Sequence, residues 1–394
     1  MPQNTGANIS VFGITKYLSL LGHEIDFVSY RKNNDAEMAK RELSQYCNPI
    51  ILDVQTENKI IPGLLNLFTS TPYNISKFIS EELREFIEEY FVKNRPDIVH
   101  IDHLHMAWII DLIREISDVP VVLREHNLEM NIMKRFAERE RNILLKWYAS
   151  YQAEKLQKYE TKYCKKFDKC IMITSIDEKQ LLQMNTHIET KTIEAGVEEH
   201  FLNIERLEPI PYSLFHIGSL EWYPNLDGLE WFLSSVMIEL IKINPSIKLY
   251  VYGSGMDKIK INEGLKRNVE LVGFVENLTE NIADKDLMVV PLRIGSGIRL
   301  KILEMLGMGC NIITTSIGKE GINAEDSKQI IVADSEKEIT SKIVDYYDGK
   351  YNKKEMSINA RNLIRENYTW PIIAKKFEQE YLTIIEHHNK VNAI

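Results

Sequence analysis

The most informative segment of this chain is Leu287-Met-Val-Val-Pro-Leu-Arg293-Ile-Gly-Ser-Gly-Ile-Arg299-Leu-Lys-Ile-Leu-Glu304. It starts as a short apolar run of strand length, continues as a glycine loop and ends in an amphipathic helix. Gly295 and Gly297 allow close approach to the backbone, and the first N–H groups of a helix attract phosphate. Strand, glycine loop and helix in this order predict a phosphate site at the edge of a parallel sheet.

The same alternation of Val- and Ile-rich runs with helical stretches extends over the whole chain, as in α/β proteins with doubly wound parallel sheets. The proline-containing segment 204–212 lacks any period and is typical of a linker. We therefore predict one domain over 1–203 and a second over 204–370. Predicted strands cover 23–30, 49–54, 98–101, 120–126, 169–174 and 191–197, then 213–219, 247–253, 269–275, 287–292, 311–315 and 330–333.

Composition agrees with two domains, because 394 residues with 44% hydrophobic side chains exceed what one core usually serves. A net charge of -9 argues against nucleic acid as a partner. The four cysteines fit neither a zinc nor a redox spacing, and no apolar run approaches the roughly 20 residues of a membrane span. We expect a cytoplasmic protein without an export signal.

The beginning of the chain departs from a doubly wound domain. Residues 8–21 already have a helical pattern, and only a polar turn precedes them. The expected first strand is missing. A misplaced start, a trimmed chain and a strand lost from the sheet all explain this pattern.

Charged side chains follow the glycine loop. Arg299 and Lys301 are placed to bind a diphosphate, and Glu304 to accept hydrogen bonds from ribose hydroxyls. By itself, a glycine turn followed by a solvated, charged helix face explains the same residues.

Several segments together resemble the retaining glycosyltransferases of family 4, also called group 1 glycosyl transferases, which have the GT-B fold. They are His216-Ile-Gly-Ser219 with Pro224-Asn225, then Val251-Tyr-Gly-Ser-Gly255, Val272-Gly-Phe274 and residues 291–321. The resemblance implies two Rossmann-like domains that face a central cleft. It implies a nucleotide sugar on the C-terminal domain and the acceptor on the N-terminal domain.

The resemblance also assigns residues of the donor site. Glu304 matches the second glutamate of the family motif, and Ser296 stands where the first would be, as in a branch with the pattern G-x-G-x-R-x-K-x-L-E. Glu221-Trp222-Tyr223 stands where many relatives have a basic residue, so Arg299 and Lys301 become the catalytic candidates that neutralise the diphosphate. The predicted donor-binding residues are Gly218, Phe274, Gly295, Ser296, Gly297, Arg299, Lys301 and Glu304.

In the N-terminal domain, His126 resembles the active-site histidine of the family, and Gly6 resembles its first glycine loop. We expect Gly6 and His103 to contact the acceptor. His100-Ile-Asp-His103-Leu-His105 raises the question of a metal site. A parallel sheet alternates the faces of these side chains, and no further ligand completes the set, so we predict no metal.

The resemblance implies retention of anomeric configuration, without metal or cofactor, with the departing diphosphate helping to deprotonate the acceptor. We expect transfer of a hexose-type sugar from a UDP- or GDP-linked donor to a glycan or lipid-linked acceptor, in surface polysaccharide or glycoconjugate synthesis. A sugar-nucleotide epimerase and a catalytically silent partner subunit of a transferase stay open as alternatives.

Two helical segments carry further expectations. Residues 129–167 read as one long helix that mixes basic and aromatic side chains, namely Arg135, Arg139, Arg141 and Lys146 with Phe136, Trp147 and Tyr148. A solvated helix face explains these side chains, and peripheral contact with the inner face of a membrane is the more specific alternative. The helix 371–390, which starts at Pro371, is expected to cross back onto the N-terminal domain.

Overall fold

A computed structural model describes residues 6–31, 36–57 and 59–392 of the chain. The chain folds into two compact units. Unit 1 comprises 1–196 and 370–394, and unit 2 comprises 197–369. Both are α/β units built on parallel sheets. None of the described helices is long and apolar enough to cross a bilayer.

Unit 1 has six short strands. They are β1 (Asp26–Tyr30), β2 (Asn48–Leu52), β3 (Val99–Asp102), β4 (Val121–Glu125), β5 (Lys169–Met172) and β6 (Thr190–Thr192). Its helices are α1 (Gly6–Leu20), α2 (Ala36–Leu43), α3 (Ile60–Leu65), α4 (Tyr73–Ser76), α5 (Glu81–Lys93), α6 (Ile109–Ile116), α7 (Glu129–Arg139), α8 (Ile143–Cys164) and α9 (Ser175–Met184). The last helix of the chain also belongs here.

The strands of unit 1 form two separate parallel sheets among the described residues, β1-β2 and β3-β4-β5-β6. In a doubly wound domain, a strand that precedes the first helix lies in the middle of the sheet, where in this chain it would pair with β1 on one side and β3 on the other. Here α1 precedes β1, and the described residues supply no strand before it. The sheet is accordingly divided where that strand would pair.

Unit 2 has one six-stranded parallel sheet in the order β12-β11-β10-β7-β8-β9. Its strands are β7 (Ser213–Ile217), β8 (Lys248–Tyr252), β9 (Val269–Gly273), β10 (Leu287–Val290), β11 (Asn311–Thr314) and β12 (Ile331–Val332). Its helices are α10 (Tyr223–Trp231), which continues through a π-helical segment into α11 (Ile238–Ile243), α12 (Leu278–Ile282), α13 (Leu300–Gly307), α14 (Ser316–Lys319), α15 (Glu336–Tyr347) and α16 (Lys353–Asn367). Every strand expected from the sequence overlaps a strand of the structure.

The expectation of one long helix over 129–167 is wrong. The chain leaves the helical conformation at Glu140, and α8 starts after Asn142. The Asn142 side chain accepts hydrogen bonds from the N–H groups of Leu144 and Leu145, at 3.0 and 3.2 Å. An asparagine in this position caps a new helix N-terminus, so α7 and α8 form a hairpin.

The final helix, α17 (Trp370–Asn392), packs on α1 within unit 1. Trp370 is fully buried against two glycines: a Cβ would lie 2.1 Å from its ring at Gly13 and 2.5 Å at Gly196. The chain enters unit 2 at Val197, which pairs with Thr369 as a parallel bridge. The chain therefore passes from one unit to the other at 196/197 and at 369/370, whereas the proline-containing linker predicted the first of these boundaries at 203/204.

Candidate active site

The glycine loop of unit 2 follows β10 and ends at Arg299, the residue before α13. Gly297 has a φ of 75°, which favours glycine, and a Cβ at Gly295 would lie 2.2 Å from the Arg299 guanidinium. Arg299 Nη1 donates to the carbonyl oxygens of Ser296 and Gly297. The loop therefore wraps around the buried Arg299 and fixes this cation at the start of the helix.

Lys301 lies in the first turn of α13 and points to the end of β7. Its Nζ donates to the carbonyl oxygen of Ile217 at 2.7 Å and to Asn225 Oδ1 at 2.9 Å. Asn225 in turn donates to the Ser219 carbonyl at 2.9 Å, so Gly218 lies beside the ammonium. Burial and, to a smaller extent, the charge of Arg299 lower the pKa of Lys301 from 10.5 to about 7.

Other predicted donor residues lie around this pair. Glu304 follows Lys301 by three residues on α13, and burial raises the pKa of its carboxyl to about 7. Ser296 is buried within the loop. Phe274 follows Gly273 at the end of the edge strand β9 and is 78% exposed, as a side chain that packs on an incoming ligand would be. The structure thus brings Gly218, Lys301 and the glycine loop together and leaves Phe274 at the sheet edge.

A second polar cluster lies at the ends of β3 and β4 in unit 1. Asp102 and Arg124 are paired residues of these strands, and His126 Nε2 is hydrogen-bonded to Asp102 Oδ1. Arg124 is fully buried, with Nη1 3.6 Å from Asp102 Oδ2. Burial alone would raise the pKa of Asp102, but His126, Arg124 and hydrogen bonds from histidines bring it well below its ordinary value.

The charge state of this cluster follows from its burial. Burial lowers the pKa of His126, the Asp102 carboxylate raises it, and the charge of Arg124 lowers it, with a net pKa below the ordinary 6.5. The neutral form of His126 is therefore favoured near pH 7, and Arg124 supplies the permanent positive charge beside Asp102. Because the Asp102 carboxylate accepts from Nε2, that nitrogen carries the proton and Nδ1 carries the lone pair.

His103 joins the cluster by an unusual backbone conformation. Its φ is 74°, and its ring stacks on that of His126 with centroids 4.0 Å apart. The expectation that strand alternation separates these side chains is wrong, because His103 lies just past β3, where the chain turns. Asp102, His103 and His126 have potential ligand atoms within 4.8 Å of one another. The buried Arg124 already balances the carboxylate, which disfavours a further cation there.

Helices α1 and α17 complete the cluster. Arg124 Nη2 donates to Ser10 Oγ at 2.7 Å, and its guanidinium lies 5.4 Å from the Phe377 ring. Tyr381 Oη is hydrogen-bonded to His100 Nδ1. Gly6, the expected loop glycine, is the exposed first residue of α1, one turn before Ser10. The residues 1–5 that would form the rest of that loop lie outside the described part of the chain.

Two buried acids lie behind His126. Glu125 and Glu160 are almost inaccessible, and burial raises the pKa of both carboxyls well above the ordinary value. Cys164 and Glu160 raise the pKa of Glu125 further, and Glu129 raises that of Glu160. Cys164 Sγ donates to Glu125 Oε1 at 3.2 Å, and Glu160 Oε1 accepts from the Glu129 N–H at 2.6 Å. Their surroundings favour the neutral form of both carboxyls.

Sequence reasoning left three contributors without a role: Asp102, Arg124 and Asn225. A signal for the first two existed, since charged residues at the end of an otherwise apolar strand need partners once the strand is buried. Their pairing across β3 and β4 depends on register, which a single sequence does not display. The contact from Asn225 to Lys301 spans 76 residues and required the fold.

Comparisons with known proteins match both units. The family model described as "Glycosyltransferase Family 4" matches residues 4–200, and the model described as "Glycosyl transferases group 1" matches 211–348. A 44.6 kDa protein in the cps region of Klebsiella pneumoniae is 25% identical over 382 residues, which is 93% of each chain.

Solved structures with the same fold cover nearly the whole chain. Sucrose-phosphate synthase from Thermosynechococcus elongatus has a TM-score of 0.69 at 16% identity, over 97% of this chain and 94% of its own. The HepE protein of Anabaena, solved with UDP and glucose, has a TM-score of 0.66 at 12% identity, over 96% of both chains. Two parallel α/β units of this kind are the GT-B architecture. The chain belongs to the family 4, group 1 glycosyltransferases.

Proposed function

We propose that this glycosyltransferase moves a hexose-type sugar from a nucleotide donor to a hydroxyl of a glycan or lipid-linked acceptor, with retention of anomeric configuration. The observation that carries the proposal is Lys301, whose ammonium is held by Ile217 and Asn225 beside Gly218. A partly buried lysine with a lowered pKa at a helix N-terminus is suited to a diphosphate, which restores its charge.

In the proposed reaction, the bond between the anomeric carbon and the diphosphate oxygen breaks while the acceptor oxygen bonds to the same carbon. The acceptor proton passes to the leaving diphosphate. Negative charge develops on that diphosphate, where Lys301, Arg299 and the first N–H groups of α13 stabilise it. These groups supply the charge, so we propose a reaction without metal or cofactor.

Unit 1 is proposed to bind the acceptor and to hold the transferred sugar. His126 is proposed to lie beside the transferred sugar, with its ring oriented by the hydrogen bond from Nε2 to ionised Asp102. Gly6 and His103 are the proposed acceptor contacts. Glu304 and Phe274 are proposed to bind the ribose and the base of the donor.

The comparisons support the choice of substrates. The similar protein from Klebsiella pneumoniae is encoded in a cps region, and the Anabaena HepE structures contain UDP, glucose or UDP-glucose. We therefore propose a UDP-linked sugar ahead of a GDP-linked one, and a role in surface polysaccharide synthesis. We propose that the chain acts in the cytoplasm, at the inner face of the membrane. The four free cysteines agree with the cytoplasmic part of this proposal.

The test is a screen of nucleotide sugars by thermal shift, followed by turnover of each stabilising donor. A donor at a hundredfold excess over its dissociation constant should stabilise the chain by about 2.7 kcal/mol. Arg299→Ala should slow transfer about a hundredfold, for a loss of about 3 kcal/mol of transition-state stabilisation.

The matched control is Lys328→Ala, because Lys328 is an exposed cation of unit 2 paired with Glu325. It should leave turnover unchanged. Donor binding without any transfer or donor hydrolysis would instead assign the chain to a silent partner subunit. Near-normal turnover of Arg299→Ala would remove this arginine from the site.

A further inference from the structure

Apolar side chains are exposed together on one surface of unit 1, the α3–α8 surface. Part of it comes from α3 and the turn of 3-10 helix after it, and part from the first two turns of α8. Phe68 is 91% exposed and Ile143 is 81% exposed. The α3–α8 surface comprises Ile61, Leu64, Leu65, Phe68, Ile143, Leu144, Leu145 and Trp147.

Tertiary contacts join the two parts into one surface. Tyr151 Oη donates to the Leu67 carbonyl at 3.1 Å. Gln152 Nε2 and Lys155 Nζ donate to Asn66 Oδ1 at 3.1 and 2.8 Å. Tyr148 Oη donates to the Gly63 carbonyl at 3.4 Å. The segment around α3 is therefore fixed along α8.

In the segment around α3 a polar side chain is buried and the apolar ones are exposed, which is the reverse of an ordinary surface helix. Asn66 is 5% exposed and satisfied by α8, whereas Leu64, Leu65 and Phe68 face outward. Contiguous exposed apolar side chains on a folded unit mark a surface that meets another apolar phase.

Basic residues flank the apolar side chains. Between residues 134 and 147, five residues are basic and two are acidic, although the chain as a whole has a net charge of -9. The exposed basic residues are Lys59, Lys134, Arg139, Arg141 and Lys146. A cationic flank around aliphatic and aromatic side chains complements an anionic lipid surface. In a symmetric dimer through this surface, the same cationic flanks would face each other.

Contacts also connect this surface to the cluster around His126. The segment that carries α3 continues to Phe78, whose ring lies 5.0 Å from that of His105. His105 Nε2 lies 3.9 Å from the carboxylate of Glu129, the first residue of α7. The segment that carries α3 thus continues from this surface towards the proposed acceptor site, which lies where Glu160, near the end of α8, accepts from the Glu129 N–H.

From these observations we infer that the α3–α8 surface docks unit 1 on an anionic phospholipid bilayer, with the apolar side chains inserted among the lipids and the basic residues at the headgroups. The inference deepens the proposed function and rests on it for the lipid-linked acceptor. Docking itself requires only the surface.

The test is co-sedimentation of the full chain with vesicles of phosphatidylcholine alone, or with an equal part of phosphatidylglycerol. We expect binding to the mixed vesicles that weakens with salt, because the attraction of basic residues to anionic lipid is screened. Phe68→Ser combined with Leu144→Ser should weaken binding about tenfold per side chain, or about 1.4 kcal/mol each. Arg139→Gln with Arg141→Gln should remove the preference for the anionic vesicles.

The control is Val92→Ser, because Val92 is 79% exposed on α5 of the same unit, outside the α3–α8 surface. It should sediment like the unchanged chain. Thermal unfolding should show the same midpoint for all variants, since the exchanged side chains are exposed. UDP binding, measured by calorimetry without vesicles, should also be unchanged, so a loss of docking is distinguished from a loss of the donor site.

Three results would overturn the inference. The first is that the unchanged chain does not sediment with anionic vesicles. The second is that the Phe68 and Leu144 double variant sediments as much as the unchanged chain. The third is that this variant loses self-association while its vesicle binding stays intact. The last result would assign the surface to contact between copies of the chain.

Discussion

Binding of a diphosphate at Lys301 should take up a proton from solution. The pKa of this lysine is about 7 in the structure, because its ammonium is buried near Arg299. A bound diphosphate adds negative charge next to Nζ and brings the pKa back towards its ordinary value of about 10.4. Near pH 8 the lysine is therefore neutral in most free molecules and charged in the complex.

The magnitude follows from the pKa. At pH 8, a group with a pKa of about 7 is about one-tenth protonated, so binding of UDP should take up about 0.9 protons. The terminal phosphate of free UDP contributes little, because phosphate monoesters titrate near pH 6 and it is mostly ionised at pH 8. A proton taken up by Glu304, whose pKa is about 7, is common to the unchanged chain and to variants of Lys301, so the difference between them belongs to Lys301.

The assay is titration calorimetry of UDP binding near pH 8 in buffers with different enthalpies of ionisation, since the slope of heat against buffer enthalpy gives the number of protons. Lys301→Arg keeps the positive charge, but a guanidinium stays protonated, so this variant should take up about 0.9 fewer protons on binding UDP than the unchanged chain. Lys301→Met should bind more weakly and show the same reduced uptake. Equal slopes for the unchanged chain and Lys301→Arg, or a slope of zero for the unchanged chain, would refute the assignment of Lys301.

Three further predictions concern other residues. Glu304→Gln should weaken UDP binding in calorimetry, and unchanged affinity would make this carboxyl structural. Glu160→Gln should raise the free energy of unfolding near pH 8 by about 1 to 3 kcal/mol. Because the pKa of Glu160 is raised, its contribution to stability is complete below its ordinary 4.5 and is lost as pH rises through the raised pKa, so denaturant titrations of the variant should vary less with pH. Equal pH dependence contradicts this. Trp370→Ala should lower the free energy of unfolding by about 3 to 5 kcal/mol. A chain ending at Tyr368 should expose apolar surface of unit 1, which dye binding and thermal unfolding measure. An equally stable, active truncation would contradict the role of α17.

The strand and helix pattern could be read from the sequence because each element repeats its apolar residues with its own period. Every predicted strand overlaps an observed one, and β10 with its glycine loop appeared where the opening motif placed it. The break between α7 and α8 was not predicted from the sequence, because Asn142 is a single capping residue inside a helical pattern.

The donor site could be predicted in part because it is local. Gly295, Gly297, Arg299 and Lys301 fall within seven consecutive residues, so their positions follow from one strand-to-helix turn. The cluster of unit 1 is different. Arg124 meets Ser10 across 114 residues, and His100 meets Tyr381 across 281.

The set of elements, their α/β class and the phosphate loop could therefore be predicted, because all of them depend on neighbours along the chain. Tertiary structure decided the ionic cluster around Asp102, the packing of Trp370 between Gly13 and Gly196, and the apolar surface shared by α3 and α8. These features depend on strand register and on side chains from distant segments meeting in one place, and no local period encodes such contacts.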